Sequence, residues 1–171
     1  MKADNVFVVR RLDEFESVTQ CLEKQGFHYH YPILTQQVIE ANKMISEMMQ
    51  VPIASKVFSY KKIRIVENVP RSLEQIYIDY KRVPGIEQLE LEDQSLYQVL
   101  KDKYGFVVHK SEEEIRIVHA NSTEAELLHL KENSEVLLTT GISYVDRFGP
   151  LEYYELTSIP GFFKYRSVDQ Q

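Results

Sequence analysis

The sequence predicts an α+β domain in which long antiparallel hairpins form the sheet and short helices pack beside it. Two extended hairpin patterns, at residues 55–79 and 136–158, are the first observation that favours this class. The second is an internal similarity between the two halves of the chain at an offset of 79 positions. A doubly wound parallel fold is excluded, because it would need a helix after every strand.

The internal similarity relates residues 13–79 to residues 95–158. The matched segments are Gln25-Gly26-Phe27 with Tyr104-Gly105-Phe106, and Ala41-Asn42 with Ala120-Asn121. Each half is predicted to contain a helix, a Gly-Phe turn, a long strand, a short helix and two strands. Two like units can cover each other's apolar faces around a pseudo-two-fold axis. A cleft between them is then the expected ligand site.

The first half begins with a predicted helix from Asp13 to Lys24, which Gly26 ends. Its expected inner face comprises Phe15, Val18 and Leu22. Residues 28–40 form a predicted strand, in which Pro32 favours an edge or a bulge. Asn42 is expected to cap a short helix that carries Met44, Ile45, Met48 and Met49, and its three methionines are interpreted as core residues.

The first hairpin is predicted over residues 55–66 and 69–79. Lys62 and Arg64 share one face of its first strand because side chains alternate along a strand. Glu74 lies on the return strand and is a candidate ion-pair partner for both. Residues 81–94, which contain Pro84-Gly85, are the expected crossover to the second half.

The second half begins with Ser95, whose hydroxyl is expected to cap a helix with an inner stripe of Leu96, Val99 and Leu100. Gly105 is a candidate left-handed terminator. The remaining predicted elements are a strand at 106–119, a helix capped by Asn121 or Ser122, a hairpin at 136–145 and 151–158, and an aromatic tail at 160–165 that packs down. Residues 1–11 are predicted to be a linker or an edge strand.

Composition restricts the function classes. A formal net charge of −6 argues against sequence-independent nucleic-acid binding, which needs a basic face. The single Cys21 cannot form an internal disulfide and is interpreted as a core residue of a cytoplasmic protein. No apolar run is long enough to cross a membrane. His28 and His30 lie on one side of a strand, but no further ligands complete a metal site, and no cofactor is expected.

Six short motifs follow one another along the chain: Lys62-Ile63-Arg64, Asn68-Val69-Pro70, Leu73-Glu74, Ser95-Leu96-Tyr97, Tyr104-Gly105 and Glu124-Ala125 with Leu128. In this order and spacing they resemble the UTRA domain, the effector-binding half of HutC-type GntR transcription regulators. The resemblance covers residues 12 to 171. It implies a chorismate-lyase-like α+β fold, a homodimer, and DNA binding only through a winged-helix domain that is absent from this chain.

The resemblance also implies a set of ligand-binding residues. Lys62 and Arg64 correspond to the family's basic strand motif, with one guanidinium replaced by an ammonium group. The other expected contacts are Glu74, Ser95, Tyr97 and Glu152, with Glu155 in reserve. No catalytic residue is expected.

Two departures from the family pattern concern phosphate binding. Sugar-phosphate-binding members carry small hydroxyl residues where this chain has Asp13, Glu14 and Glu16, which would repel a phosphate at a helix start. Arg10 and Arg11 could partly offset these acids. An Arg-Gly-Asp-like element near the family's C-terminus is replaced by Pro160-Gly161-Phe162-Phe163.

The expected function is therefore a sensory module that binds a small polar metabolite, such as a sugar, sugar phosphate, acid or amine, and alters repressor affinity for its operator. Two alternatives remain open. One is a lyase-like enzyme in which Lys62 and Arg64 hold a carboxylate and a glutamate acts as acid or base. The other is a dimerisation module without a ligand, which would have no pocket beyond ordinary surface clefts.

Overall fold

The computed structural model of the chain describes residues 6–168. The strands are β1 (Val8–Arg11), β2 (Tyr29–His30), β3 (Ile33–Glu40), β4 (Lys56–Val66), β5 (Val69–Asp79), β6 (Lys110–His119), β7 (Glu135–Tyr144), β8 (Glu152–Ser158) and β9 (Phe163–Arg166). The α-helices are α1 (Val18–Lys24), α2 (Lys43–Met49), α3 (Leu96–Tyr104) and α4 (Ser122–Leu127). Two short 3₁₀ turns, Tyr80–Arg82 and Ile86–Gln88, lie in the predicted crossover. The class is α+β, as the sequence predicts.

The main sheet is antiparallel and has the order β2-β4-β5-β8-β7-β6, with β3 also paired to β4. The path β3-β4-β5 is followed in reverse by β8-β7-β6, so the β5–β8 pair lies at the centre. The pairing of Glu40 with Lys56 recurs as His119 with Glu135, at an offset of 79 positions in each strand. This is the arrangement expected of two related halves, although the proposed division into 13–79 and 95–158 stays a prediction.

The turn between β4 and β5 shows why this hairpin is long and regular. Glu67 and Asn68 both adopt positive φ, at 50° and 63°. Two such residues form the tight turn whose twist matches that of the strands on either side. The hairpin register places Lys62 opposite Glu74 and Arg64 opposite Ser72.

Helix α1 begins at Val18 and not at Asp13, so its predicted start is wrong. The Ser17 hydroxyl accepts from the Gln20 amide, and the Gln20 side chain accepts from the Ser17 amide. This reciprocal capping box fixes the first turn five residues later than predicted. Phe15 consequently lies outside the helix and is 45% exposed, which contradicts its expected place on the inner face.

Three other local predictions also need correction. Ser95 occupies the N-cap of α3, but its side chain makes no capping hydrogen bond. Strand β6 begins at Lys110, because residues 106–109 follow Gly105 (φ 72°) without ladder pairing. Met44 is 40% exposed, whereas Ile45 and Met49 fill the core beneath α2.

Two strands from opposite ends of the described range form a separate small sheet. β1 pairs in parallel with β9, from Val8 opposite Phe163 to Arg11 opposite Arg166. Phe162 and Phe163 are buried beneath it, as expected for the aromatic tail. The predicted segment 1–11 is thus a strand from residue 8 onward, and its first five residues lie outside the described range. Within that range no helix is both long and apolar enough to span a membrane.

Candidate functional site

One face of the central sheet forms the floor of a cavity of about 440 Å³. Cross-strand partners share a face, and three pairs lie on this one: Glu74 with Leu156, Ile76 with Tyr154, and Ser143 with Glu152. The start of α3, the segment before α1 and the first residues of β6 form the walls. The cavity therefore lies across the junction of the two predicted halves.

The polar centre of the floor is a buried ion triad. Lys62 Nζ lies 3.1 Å and Arg64 Nη2 3.0 Å from the same oxygen of Glu74, Oε2. The side chains of Lys62 and Arg64 are only 4% and 2% exposed. Arg64 also donates to Ser72 Oγ at 3.1 Å, while its buried Nε has no partner within residues 6–168. Two cations thus share one carboxylate, and the triad carries one excess positive charge.

The groups of the triad shift each other's pKa values. Burial alone would raise the pKa of Glu74, but the adjacent Lys62 and Arg64 lower it to about 2. Burial lowers the pKa of Lys62, and Glu74 only partly opposes this. The Tyr31 ring lies against both cations, 4.7 Å from Lys62 Nζ and 5.0 Å from Arg64 Cζ. The aromatic face stabilises these desolvated charges without neutralising them.

A second carboxyl group on the same floor behaves differently. Glu152 is 2% exposed and has no cation in hydrogen-bonding contact among the described residues. The Tyr97 hydroxyl donates to Glu152 Oε2 at 2.7 Å. Burial raises the pKa of Glu152 to about 7, and the negative charge of Glu74 adds to the effect. Near neutral pH this group therefore exists in both protonation states.

Gly141 shapes the floor between β8 and β7. A Cβ at this position would overlap the Tyr154 ring, so the Tyr154 side chain occupies the space that any larger residue would need. The Tyr154 hydroxyl thereby reaches Ser111 Oγ at 3.2 Å and a carboxylate oxygen of Glu113. Because Gly141 has no side chain, the Tyr154 ring can lie across β7 at the floor of the cavity.

The N-terminal strand closes one wall. Arg10 Nη2 lies 3.1 Å from Glu113 Oε1, which joins β1 to the edge strand β6. Arg11 pairs with Asp13 and Glu14, and Glu16 pairs with Lys24. The acids predicted at a helix start lie instead in the irregular segment before it, where these cations engage them.

All six sequence-predicted ligand contacts line this one cavity: Lys62, Arg64, Glu74, Ser95, Tyr97 and Glu152. The reserve residue Glu155 is not among the lining residues; it accepts from the Tyr153 hydroxyl on the opposite face. Sequence reasoning missed Tyr154 and Glu113 as lining residues. Strand alternation was an available signal for Tyr154, because it lies two positions after the predicted contact Glu152 and shares its face. Glu113 had no such signal, because its same-face neighbour Ser111 was not a predicted contact.

His28 and His30 do not form a joint metal site within residues 6–168. His30 instead lies near Glu92 and Asp93, with Nδ1 2.6 Å from Asp93 Oδ1, and all three residues are exposed. Cys21 is buried, and burial raises the pKa of its thiol to about 11. An inert thiol in the core agrees with its predicted structural role.

Solved structures support the fold. PhnF from Mycobacterium smegmatis superposes with a TM-score of 0.86 at 18% identity, covering 96% of this chain and 72% of that one. The effector domain of PhnF gives a TM-score of 0.86 at 17% identity, covering 95% of this chain and 100% of that one. The C-terminal domain of YurK from Bacillus subtilis gives a TM-score of 0.75 at 19% identity, covering 80% of this chain and 94% of that one.

Sequence comparison identifies the family. The chain is 24% identical over 119 residues to the uncharacterized HTH-type transcriptional regulator YurK of Bacillus subtilis strain 168. That match covers 70% of this chain and 49% of YurK, so it spans about half of the relative's length. The family model for the UTRA domain matches residues 24–160, well over half of the chain. The chain therefore belongs to the UTRA domain family.

Proposed function

We propose that this chain is the effector-binding domain of a GntR-family transcription regulator and that its cavity binds a small polar metabolite. The buried triad carries the proposal, because two cations that share one carboxylate leave an excess positive charge and unused N–H donors beside an open cavity. A buried excess charge costs free energy unless a counter-ion balances it. An anionic or oxygen-rich ligand would supply that counter-ion.

The six lining residues take separate roles in this proposal. Lys62 and Arg64 hold the anionic end of the ligand, and Ser95 presents the uncapped N-terminus of α3 beside it. Glu74 holds both basic side chains in place through its ion pairs. Tyr97 and Glu152 supply a hydroxyl and a carboxyl group whose protonation adapts to the ligand.

Regulation would follow from differential affinity. A ligand shifts an equilibrium between two arrangements only if it binds one of them more tightly. We propose that the domain acts as a homodimer joined to a winged-helix DNA reader and that occupancy of the cavity changes operator affinity. The name of YurK, an HTH-type transcriptional regulator, supports this assignment.

A thermal-shift screen with sugars, sugar phosphates, carboxylic acids and amines tests the proposal. We expect at least one class of compound to stabilise the wild type. Arg64→Met should lower the affinity for the best ligand about 100-fold, because truncation of a buried charge contact costs about 2–5 kcal/mol. Arg116→Met is the matched control, since Arg116 is an exposed β6 residue outside the cavity. Unchanged ligand binding by Arg64→Met would contradict the assignment of the site. If no class of compound stabilised the wild type, that result would contradict the proposed function.

The pKa of Glu152 links ligand affinity to pH. An anion at the triad would raise that pKa above its value of about 7, so binding should take up protons and weaken as the pH rises above 7. A cationic amine should bind with the opposite dependence. Titration calorimetry in buffers of different ionisation enthalpy measures the proton uptake. Glu152→Gln should bind without it, and an unchanged uptake in that variant would assign the effect to another group.

An enzyme is the second candidate, and Glu152 is the observation that favours it. A buried carboxyl group with a pKa of about 7 has the acid strength of a general acid at neutral pH. Lys62 and Arg64 would then hold the carboxylate of a substrate such as chorismate. Turnover of chorismate by the purified domain, lost in Glu152→Gln, would favour this candidate. The ligand-free module is disfavoured, because it predicts no pocket beyond ordinary surface clefts, whereas buried charges line this cavity.

A further inference from the structure

We propose that the ligand is a monoanion with an apolar or aromatic body, of the aryl-carboxylate class, and not a sugar phosphate. The inference rests on the proposed function, because it concerns the same cavity. Two independent features carry it: the balance of charge around the cavity and the apolar surface that its wall leaves uncovered.

The charge balance favours a ligand with a single negative charge. The triad of Lys62, Arg64 and Glu74 has one excess positive charge. The lysines and arginines of the surrounding wall are already paired with acids. Arg10 pairs with Glu113, Arg11 with Asp13 and Glu14, and Lys110 with Glu112, which lies outside the lining. The wall acid Glu16 pairs with Lys24, which also lies outside the lining.

The wall therefore opposes a second negative charge on the ligand. Its lining contains three cations (Arg10, Arg11 and Lys110) and four carboxylates (Asp13, Glu14, Glu16 and Glu113), which leaves one excess negative charge. A phosphate dianion would exceed the single positive charge of the triad and would face this repulsive wall. A monoanion would match the triad with less repulsion, and Glu152 on the same floor takes up a proton as the anion binds.

The apolar wall favours a ligand body with few hydroxyl groups. Leu12 and Phe15 line the cavity and remain 55% and 45% exposed. The Phe15 ring lies 5.9 Å from the Tyr97 ring at 45°, which makes a tilted aromatic surface beside the opening. Leu96 and Leu156 extend this apolar lining inward. A ring or short alkyl chain bound here would remove the exposed part of Phe15 from water.

The polar groups on the floor are poorly placed for a sugar. Glu152 already accepts from the Tyr97 hydroxyl, and Glu113 accepts from Tyr154 and Arg10. Glu74 is held by the two cations. A sugar would need several acceptors for its hydroxyl groups, and a hydroxyl group that leaves water without gaining a partner costs binding energy. One carboxylate and an apolar body need only the triad and the wall.

Titration calorimetry with 3-phenylpropionate, acetate and glucose 6-phosphate tests the inference. We expect 3-phenylpropionate to bind the wild type more tightly than either of the other two. Phe15→Ser should weaken 3-phenylpropionate about tenfold, or about 1.4 kcal/mol, and leave acetate unchanged. The affinity of Phe15→Leu for 3-phenylpropionate should lie between those of the wild type and Phe15→Ser. Phe148→Ser is the matched control, because Phe148 is 79% exposed and lies outside the cavity.

The outcomes separate this inference from the proposed function. Tighter binding of glucose 6-phosphate that Arg64→Met abolishes would overturn the ligand class and leave the effector-binding function intact. Equal affinity of wild type, Phe15→Ser and Phe15→Leu for 3-phenylpropionate would also overturn the inference. No saturable binding of any of the three compounds would count against both.

Discussion

Glu74→Gln is expected to lower the free energy of unfolding by about 3–5 kcal/mol at pH 7, which is the usual cost of leaving buried charges unpaired. The amide has nearly the same shape as the carboxylate, so the loss reports charge and not packing. Lys62 and Arg64 would remain buried with no carboxylate between them. Urea denaturation of the two proteins measures the difference.

The pKa of Glu74 determines the pH range over which its carboxylate stabilises the fold. Because the folded-state pKa of Glu74 is lowered from 4.5 to about 2, its stabilising contribution is complete above about pH 4.5 and is lost as the pH falls toward 2. The stability gap between wild type and Glu74→Gln should close over that window. Glu40→Gln, at an exposed position on β3, should stay within about 0.5 kcal/mol of wild type. A gap below about 1 kcal/mol at pH 7 would show that the triad does not need its carboxylate.

Glu152→Gln is expected to have the opposite effect and to stabilise the domain above neutral pH. The folded-state pKa of Glu152 is raised from 4.5 to about 7, so the wild type loses stability as the pH rises from about 4.5 through 7. The glutamine side chain carries no charge at any pH. The variant should therefore gain up to about 3 kcal/mol over wild type at pH 8, at about 1.4 kcal/mol per pKa unit.

The groups that face Glu152 do not reverse this expectation. Tyr97 and Ser143 are hydroxyl groups, and burial raises the pKa of Tyr97 well above its ordinary value, so it stays neutral at pH 8. The Tyr154 hydroxyl also stays neutral because burial raises its pKa. Glu74 repels a charged Glu152, and Lys62 attracts it more weakly. Denaturation midpoints at pH 5 and pH 8 provide the test, and equal pH profiles for the two proteins would contradict it.

Alternation and turn chemistry made the sheet predictable. Residues 55–79 combine β-branched alternation with a turn that accepts positive φ, and the structure forms β4 and β5 over 56–66 and 69–79. The start of α1 was not predicted, because Asp13 and Ser17 are both good N-caps. Each is followed three positions later by a residue that can complete a capping box, Glu16 after Asp13 and Gln20 after Ser17, and the structure forms the second. Similarly, Ser95 has the position of a cap but not its hydrogen bond.

The predicted contacts of the site are residues that the family resemblance supplied. Other features of the site depend on details of the fold that the resemblance does not specify. Arg10 reaches Glu113 across 103 positions only because β1 pairs with β9. Phe15 borders the cavity because the capping box excludes it from the helix. Tyr154 crosses the floor because Gly141 lacks a side chain.

A crystal structure of the domain with the best ligand from the screen would locate the binding site outright. We expect electron density for the anionic group between Lys62, Arg64 and the first turn of α3, with the body of the ligand against Phe15 and Tyr97. Density at any other surface, with this cavity holding only water, would rule out the triad as the effector site.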